Sequence, residues 1–212
     1  MEQKNSLLDF WKQNFSFTAA ELKAFKEVQR EDFIPKELKL QAYDDMPLPL
    51  LRGKTISQPT TVMMMTSALE LKNEDKVFEV GTGSGYQTAI IAKIAAKGKV
   101  ISTEILPELV SFAKQNLKKA GIKNVLLLEE DGSKGYLEEA PYDKIIITAA
   151  CKEFPKPLLE QLKPDGIIVG PVGDSHEQEM VKGIKNKYGK LELEFLGQFL
   201  FSPLYGKYGF EE

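Results

Sequence analysis

Apolar runs and helical patterns alternate through the middle of the chain. Five apolar runs have the length of β-strands, at 76–80, 99–104, 125–128, 143–149 and 166–173. The intervening segments repeat apolar residues at helical spacing, at 85–96, 107–120 and 155–162. Alternating strands and helices are typical of a mainly parallel sheet with helices on both faces. We therefore predict an α/β fold built on a doubly wound, mainly parallel sheet.

The C-terminal part follows a different pattern. Residues 178–201 alternate or run apolar on either side of Tyr188-Gly189, a pair suited to a tight turn. This pattern predicts antiparallel C-terminal strands. A chain of 212 residues has the size of one domain, and we expect a single unit with a helical and loop cap over 1–55 and an α/β core over 56–212.

The N-terminal part is predicted to be helical. Residues 6–15 and 18–29 have amphipathic patterns, and a short helix is expected near 36–41. Thr18 and Glu21 have the spacing of a capping box, in which each side chain binds the other residue's backbone N–H. A helical cap is therefore expected ahead of the first core strand.

A long apolar-rich loop over 43–65 separates this cap from the core. Pro47 and Pro49 argue against regular structure within it. Ser57 is predicted to be the N-cap of a helix that runs to about Leu71. Loops of this length inside a compact domain are more often functional than idle.

Composition excludes several kinds of site. The formal net charge is −3, so the chain has no broad basic field for nucleic acid. Its single cysteine, Cys151, excludes an internal disulfide, and its single histidine, His176, argues against a metal site. No apolar run has the length of a signal peptide core or a membrane span. We expect a cytoplasmic protein without metal, nucleic-acid or membrane partners.

The segment after the first core strand carries the most specific pattern. Gly81, Gly83 and Gly85 stand between an apolar strand and a helical pattern. Dinucleotide-binding turns have the spacing G-x-G-x-x-G, but here the last glycine comes one residue early and Tyr86 follows it. The turn also lacks the Gly-Lys-Ser/Thr of a phosphate-binding loop. It is suited to a nucleoside-type ligand at a helix N-terminus.

Acidic residues surround this turn. Glu79 precedes it, and Glu104 ends the next strand at the position where an acid can bind ribose hydroxyls. Asp131-Gly132 follows the third strand, where a loop contacting an adenine would lie, although this pair is also common in plain turns. An adenosyl ligand without pyrophosphate, such as S-adenosylmethionine, fits best. A dinucleotide site and a purely structural turn remain open on spacing alone.

The chain resembles the protein-L-isoaspartate O-methyltransferase family. The similar segments, in order, are REDFIP, AYDDMPLPL, GKTISQP, VFEVGTGSGYQTA, STEILPELV, DGSKGY, APYDKIIITAA, LLEQLKPDG and PVG, with SPLYGKYGF near the end. They cover most of the chain from Arg30 to Gly173. TISQP upstream of the glycine turn is the most specific feature, because many class I methyltransferases share the turn alone.

The resemblance implies a Rossmann-like class I methyltransferase that repairs damaged proteins. Such an enzyme moves the methyl group of S-adenosylmethionine to the α-carboxylate of L-isoaspartyl residues, releasing S-adenosylhomocysteine. The ester then closes to a succinimide that partly reopens as aspartate. Isoaspartyl proteins and peptides are the implied partners, and we expect a monomer.

The resemblance also assigns site residues. It places Ser57 at the acceptor carboxylate. The implied cofactor-binding residues are Glu79, Gly81, Thr82, Gly83, Ser84, Glu104, Ile105, Asp131 and Gly132. The implied substrate-binding residues are Gly53, Thr55, Ile56, Gln58 and Tyr205. Three residues depart from the family pattern: Thr60 stands where histidine or tyrosine is usual, Glu130 where glycine is usual, and Cys151 where a small residue is usual.

The sequence also leaves other functions open. A class I methyltransferase with a small-molecule or RNA acceptor would share the glycine turn. The segment TAAC at 148–151 lacks the Pro-Pro-aromatic motif of enzymes that methylate base amines, whereas Cys151 could serve as a nucleophile on pyrimidine carbon. A non-catalytic S-adenosylmethionine-binding module is a further alternative. Tyr86 in place of glycine disfavours a dehydrogenase.

Overall fold

The structure is a computed structural model that describes residues 2–211. The α-helices are α1 (Glu2–Asn14), α2 (Ala19–Glu27), α3 (Pro59–Ala68), α4 (Tyr86–Ile94), α5 (Pro107–Lys119) and α6 (Lys156–Gln161). The strands are β1 (Leu48–Pro49), β2 (Thr55–Ile56), β3 (Lys76–Val80), β4 (Lys99–Glu104), β5 (Val125–Glu129), β6 (Tyr142–Ile147), β7 (Leu162–Gly173), β8 (Gln178–Lys185) and β9 (Leu191–Phe199). Within residues 2–211, no helix combines the length and the apolar character needed to cross a membrane.

A seven-stranded sheet organises the chain, in the order β5-β4-β3-β6-β7-β8-β9. The strands from β5 to β7 are parallel, whereas β8 and β9 are antiparallel to their neighbours. The α/β prediction and the antiparallel C-terminal strands are therefore confirmed. The chain moves outward from β3 to β5 and then returns to the other side of β3 as β6. Open sheets of this kind bind ligands beyond the carboxyl ends of the strands at such a reversal.

Alternating side chains of the central strands form a core on each face of the sheet. In β3, Val77 packs with Val100 and Ile146 on one face. The next residue, Phe78, packs with Ile145 on the other face. All five side chains are fully buried, as expected for parallel strands that are covered on both faces.

The N-terminal helices form a third apolar cluster against α3 and α4. Trp11 and Phe25 are fully buried, with ring centroids 4.5 Å apart in an edge-to-face arrangement. The predicted capping box of α2 is present: the Thr18 hydroxyl accepts from the Glu21 backbone N–H, and the Glu21 carboxylate accepts from the Thr18 backbone N–H. The segment expected to be helical near Lys36–Gln41 is a 3-10 helix.

The start of α3 differs from the prediction. The N-cap position belongs to Gln58 and carries no side-chain cap, so the assignment of Ser57 as N-cap is wrong. Asp45 takes over the task from the preceding loop. Its carboxylate accepts from the backbone N–H and the hydroxyl of Thr60, at 2.9 and 2.7 Å. A negatively charged group at the N-terminus of a helix also interacts favourably with the helix dipole.

The loop before α3 contains more regular structure than expected. Strands β1 and β2 pair antiparallel, with Pro49 opposite Thr55 and Leu48 opposite Ile56. Proline is tolerated in this two-stranded pair because each strand has a free edge, where the missing backbone N–H of Pro49 is not needed. The resulting hairpin brings the segment just before Ser57 to the carboxyl-end side of the sheet.

Candidate active site

A cavity of about 1090 Å³ opens beyond the carboxyl ends of β3 and β4. The hairpin residues 54–58 and the first turns of α3 form one side, and the glycine turn after β3 forms the floor. The loop after β4 and residues 198–205 complete the wall. These residues belong to the C-terminal segment 198–208, called here the tail. The cavity is large enough for a nucleoside-sized ligand together with part of a peptide.

The glycine turn is tied to β4 and to the end of β6. The backbone N–H groups of Gly81 and Thr82 both donate to the carbonyl of Thr103, at 2.9 and 3.0 Å. Gly81 has a φ of +93°, and a Cβ there would lie 2.6 Å from the hydroxyl oxygen of Thr148. Both the conformation and the contact demand glycine. At Gly83, by contrast, a Cβ would meet no atom within 4 Å, so this residue leaves space on the cavity side.

Tyr86 occupies the position where dinucleotide-binding turns have glycine. Its ring is buried as the first residue of α4, and it also contributes to the cavity wall. Phe33 packs against it edge-on, with centroids 5.5 Å apart. The buried guanidinium of Arg30 lies 5.2 Å over the ring, within range of a cation–π interaction. The aromatic residue therefore joins the N-terminal cap to the glycine turn.

Glu104 connects the two loops that form the floor of the cavity. One carboxylate oxygen accepts from the backbone N–H of Gly83 at 2.9 Å. The other accepts from the N–H groups of Ile105 and Leu106, at 3.0 and 3.1 Å. A carboxylate has about four acceptor positions, two on each oxygen. Glu104 can therefore hold both loops and still accept one hydrogen bond from a ligand in the cavity, on the oxygen that binds Gly83.

Glu79 lies beneath the turn and does not line the cavity, unlike the direct contact implied by the resemblance. Its carboxyl is fully buried, and one oxygen accepts from the hydroxyls of Thr88 and Ser102. Ser102 in turn shares a hydrogen bond of 2.6 Å with the hydroxyl of Thr82, which does line the cavity. Burial raises the pKa of Glu79 to about 7, and the nearby charge of Glu104 adds to this effect.

The raised pKa of Glu79 predicts a pH-dependent effect of Glu79→Gln on stability. Between pH 4.5 and 7 the unfolded chain loses this proton before the native state does, so the free energy of unfolding of the wild type should fall as pH rises. The free energy of unfolding of Glu79→Gln, relative to that of the wild type, should therefore rise by about 2 kcal/mol between pH 5 and 7. Urea unfolding at several pH values measures this difference. Glu74→Gln, on the exposed surface, is the control, and a pH dependence for Glu79→Gln no larger than that of the control would contradict the prediction.

Ser57 follows β2 and lines the cavity together with its neighbours in the hairpin. Its side chain is partly buried, and within residues 2–211 its hydroxyl makes no hydrogen bond. The first backbone N–H of α3 belongs to Thr60, because Pro59 has none, and it is already occupied by Asp45. The hydroxyl is therefore available to a ligand, although Ser57 does not cap the helix.

Asp131 binds the tail instead of lining the cavity. One oxygen accepts from the backbone N–H and hydroxyl of Ser133, and the other accepts from the backbone N–H of Lys207 at 2.8 Å. The Ser133 hydroxyl also accepts from the N–H of Tyr208 at 3.1 Å. These bonds fix the tail beside Gly132, which does line the cavity. Asp131 thus supports the site from beside the wall, and the cofactor contact that the resemblance implies for it stays a prediction.

Two of the residues that depart from the family pattern face away from the cavity. Thr60 accepts a hydrogen bond from the Trp11 indole at 2.7 Å, inside the N-terminal cluster. Cys151 is fully buried, its sulfur lies 3.6 Å from the carbonyl of Pro171, and burial raises its pKa to about 12. A thiol in this state is neither accessible nor ionised at neutral pH. The cysteine-nucleophile alternative is therefore wrong. Glu130, the third departure, does line the cavity.

The structure brings most of the candidate residues to one cavity. Those in its wall are Thr55, Ile56, Ser57, Gln58, Gly81, Thr82, Gly83, Ser84, Glu104, Ile105, Gly132 and Tyr205. Gly53, Glu79 and Asp131 are not in the wall. The sequence did not indicate Thr61, Gln87 or most of the tail as site residues. Thr61 could have been found because it lies in the first turn of α3, the helix predicted to begin beside Ser57.

Comparisons with known proteins agree with this geometry. The sequence model of the family described as "Protein-L-isoaspartate(D-aspartate) O-methyltransferase (PCMT)" matches residues 2–209. A protein-L-isoaspartate O-methyltransferase of Pyrococcus horikoshii is 43% identical over the full length of both chains. A second relative of that name, from Archaeoglobus fulgidus, is 46% identical and the match covers 99% of this chain and 96% of the relative.

Solved structures show the same architecture. A protein-L-isoaspartate O-methyltransferase structure matches with a TM-score of 0.86 and 28% identity, covering 97% of this chain and 67% of the other. A Plasmodium falciparum protein of the same description, in complex with S-adenosyl-L-homocysteine, matches with a TM-score of 0.84 and 24% identity, covering 96% and 98% of the two chains. From the family match over nearly its whole length and from these full-length relatives, the chain belongs to the protein-L-isoaspartate O-methyltransferase family.

Proposed function

We propose that this chain transfers the methyl group of S-adenosylmethionine to the α-carboxylate of L-isoaspartyl residues in damaged proteins and peptides. The observation that carries the proposal is the meeting of the TISQP segment and the glycine turn in one cavity. The family's close relatives support the same activity. S-adenosylhomocysteine is the other product.

The floor of the cavity fits the adenosyl part of the cofactor. Glu104 has one acceptor position left for a ribose hydroxyl, and Gly83 leaves open space in front of the turn. The exposed side chain of Ile105 offers an apolar surface beside Glu104. We assign cofactor contacts to Gly81, Thr82, Gly83, Ser84, Glu104, Ile105 and Gly132, and supporting roles beneath and beside the floor to Glu79 and Asp131.

The hairpin side fits the acceptor. We assign the acceptor carboxylate to Ser57, whose hydroxyl can donate one hydrogen bond to it. Peptide contacts are assigned to Gly53, Thr55, Ile56, Gln58 and Tyr205. The cofactor supplies an already activated methyl group. A carboxylate is ionised and nucleophilic at neutral pH, so no residue has to remove a proton. The single histidine, His176, accordingly lies on an exposed loop and is absent from the cavity wall.

The chain's own contribution to the reaction is orientation. Holding the carboxylate oxygen in line with the transferred methyl can supply several kcal/mol of the barrier reduction. A net charge of −3 gives little attraction for nucleic acid. We further propose that the protein acts as a cytoplasmic monomer on protein and peptide substrates, without a nucleic-acid or membrane partner.

An assay with matched peptides tests the proposed function. Labelled S-adenosylmethionine should methylate an L-isoaspartyl peptide but not the aspartyl peptide of the same sequence, nor RNA. The aspartyl peptide controls for general carboxylate methylation, and RNA for the alternative acceptor class. Cofactor binding by calorimetry without turnover on any of these acceptors would leave only a binding module.

A further inference from the structure

The charged residues of the cavity wall divide by sign between its two sides. Glu104 and Glu130 follow or end strands on the floor side, where the cofactor is proposed to bind. Arg52 and Lys54 stand on the hairpin side, next to the proposed acceptor position. A sulfonium cofactor carries positive charge and the acceptor carries negative charge. The polarity of the cavity therefore matches the two substrates of the proposed reaction.

The two cations on the hairpin side differ in their surroundings. Arg52 is exposed and pairs with Glu108 on α5 at 3.7 Å. Lys54 is partly buried, and among residues 2–211 no carboxylate lies within 4.0 Å of its ammonium group. Its ammonium instead lies 4.9 Å from the ring centroid of Tyr205 in the tail. Lys54 is thus the cation in the cavity wall whose charge is not balanced by an adjacent acid.

The backbone around Lys54 is well held. Its N–H donates to the carbonyl of Leu51 at 3.1 Å, and its own carbonyl accepts from the N–H of Leu50 at 2.7 Å. The next residue, Thr55, pairs with Pro49 in the hairpin. The tail that carries Tyr205 is fixed separately through Asp131 and Ser133. The Tyr205 ring and the Lys54 ammonium therefore belong to two separately anchored segments of the cavity wall.

We propose that Lys54 is a specificity-determining residue that recruits the acceptor carboxylate, an inference that rests on the proposed function. Lys54 precedes Ser57 by three residues, so their Cα atoms lie within about 10 Å of each other even in an extended chain. Both residues line the same cavity, and charges that are partly buried are screened much less by salt than charges in open solvent. The ammonium charge can therefore act on a carboxylate held at Ser57 without having to contact it.

The chemistry of the reaction determines which kinetic constant Lys54 affects. A lone pair of the carboxylate oxygen forms the new O–CH₃ bond while the C–S electron pair passes to sulfur, so the negative charge of the acceptor and the positive charge of the sulfonium both disappear. A fixed cation stabilises the bound carboxylate more than the less charged transition state. Lys54 should therefore lower KM for the acceptor without raising kcat.

Steady-state kinetics of Lys54→Gln with an isoaspartyl peptide test this role. We expect KM for the peptide to rise about 3- to 10-fold, because one partly screened charge interaction is lost. The value of kcat should be unchanged or higher, and the affinity for S-adenosylhomocysteine should be unchanged. Lys54→Arg, which keeps the charge, should restore KM to within about twofold of the wild type. The KM of the wild type should also rise more steeply with salt than that of Lys54→Gln.

A matched control is Lys187→Gln, which removes a lysine that also lies over a tyrosine ring, 5.1 Å from the centroid of Tyr188, but stands outside the cavity wall. Its KM should change less than twofold. The role of Lys54 would be overturned by an unchanged KM in Lys54→Gln or by equal increases in KM in Lys54→Gln and Lys54→Arg. A loss of cofactor affinity in parallel with the rise in KM would also overturn it. The wild-type enzyme is measured first, and a lack of methyl transfer to the isoaspartyl peptide would reject the proposed function and this inference together.

Discussion

Replacing Ser57 by alanine is expected to lower kcat on an isoaspartyl peptide by about 100-fold. The affinity for S-adenosylhomocysteine should stay within about twofold. The Ser57 hydroxyl is free of other hydrogen bonds in the described residues and belongs to the hairpin side of the cavity. Because the carboxylate loses charge during methyl transfer, the hydroxyl acts by fixing the direction of attack and not by stabilising a developing anion. The loss should therefore appear in kcat more than in cofactor binding.

Single-turnover methylation and calorimetry on the same samples separate these two effects for Ser57→Ala. Ser202→Ala removes a hydroxyl from the tail side of the same cavity and provides the control. We expect it to change kcat less than threefold. Equal losses of turnover and cofactor affinity in Ser57→Ala, with a lower melting temperature, would show that Ser57 serves the fold.

The strands and helices of the core were predictable because their signals are local. The run Lys76–Val80 and the very apolar run ending at Ile147 are strands because both faces of the sheet are covered. The turn at Tyr188-Gly189 joins β8 to β9 as its sequence indicates. Thr18 and Glu21 form their capping box from residues three positions apart. Each of these features depends on neighbours within a few residues.

The features that were mispredicted depend on residues far apart in the chain. The start of α3 is stabilised by Asp45, which lies 15 residues before its partner Thr60. No local pattern could assign this cap, and Ser57 was therefore given a role that Asp45 performs. A second contact over a long separation joins Asp131 to the backbone of Lys207, 76 residues later. It anchors the tail beside the cavity, a role that no local pattern indicates.

The sequence also could not predict which of the two acids beside the glycine turn lines the cavity. Glu79 and Glu104 are both acids beside the glycine turn, yet Glu79 points beneath it and Glu104 reaches the cavity. The positions of the two side chains follow from strand register. Glu79 lies within the sheet, opposite Ser102, whereas Glu104 is the last residue of its strand. The family resemblance assigns both to the cofactor, and only the structure distinguishes a supporting acid from one that can bind the ligand.

Glu104→Ala should have a large effect on cofactor binding, because the Glu104 carboxylate holds both loops of the cavity floor. We expect the affinity for S-adenosylmethionine to fall about 100-fold, equivalent to about 3 kcal/mol. Two losses contribute: the hydrogen bond proposed from a ribose hydroxyl to a charged acceptor, and the anchoring of Gly83, Ile105 and Leu106 by the same carboxylate. Calorimetric titration with S-adenosylmethionine and with S-adenosylhomocysteine measures the change.

Glu130→Ala is the matched control for Glu104→Ala, because Glu130 is the other acid of the cavity wall and its side chain makes no hydrogen bond within residues 2–211. Its affinity for the cofactor should change less than threefold, although both variants remove one negative charge from the same side of the cavity. Equal losses in the two variants would mean that the cofactor responds only to the charge of the floor. A large loss confined to Glu104→Ala requires directed hydrogen bonds, because only Glu104 holds both loops of the floor. Unchanged affinity in Glu104→Ala would remove this residue from the cofactor site.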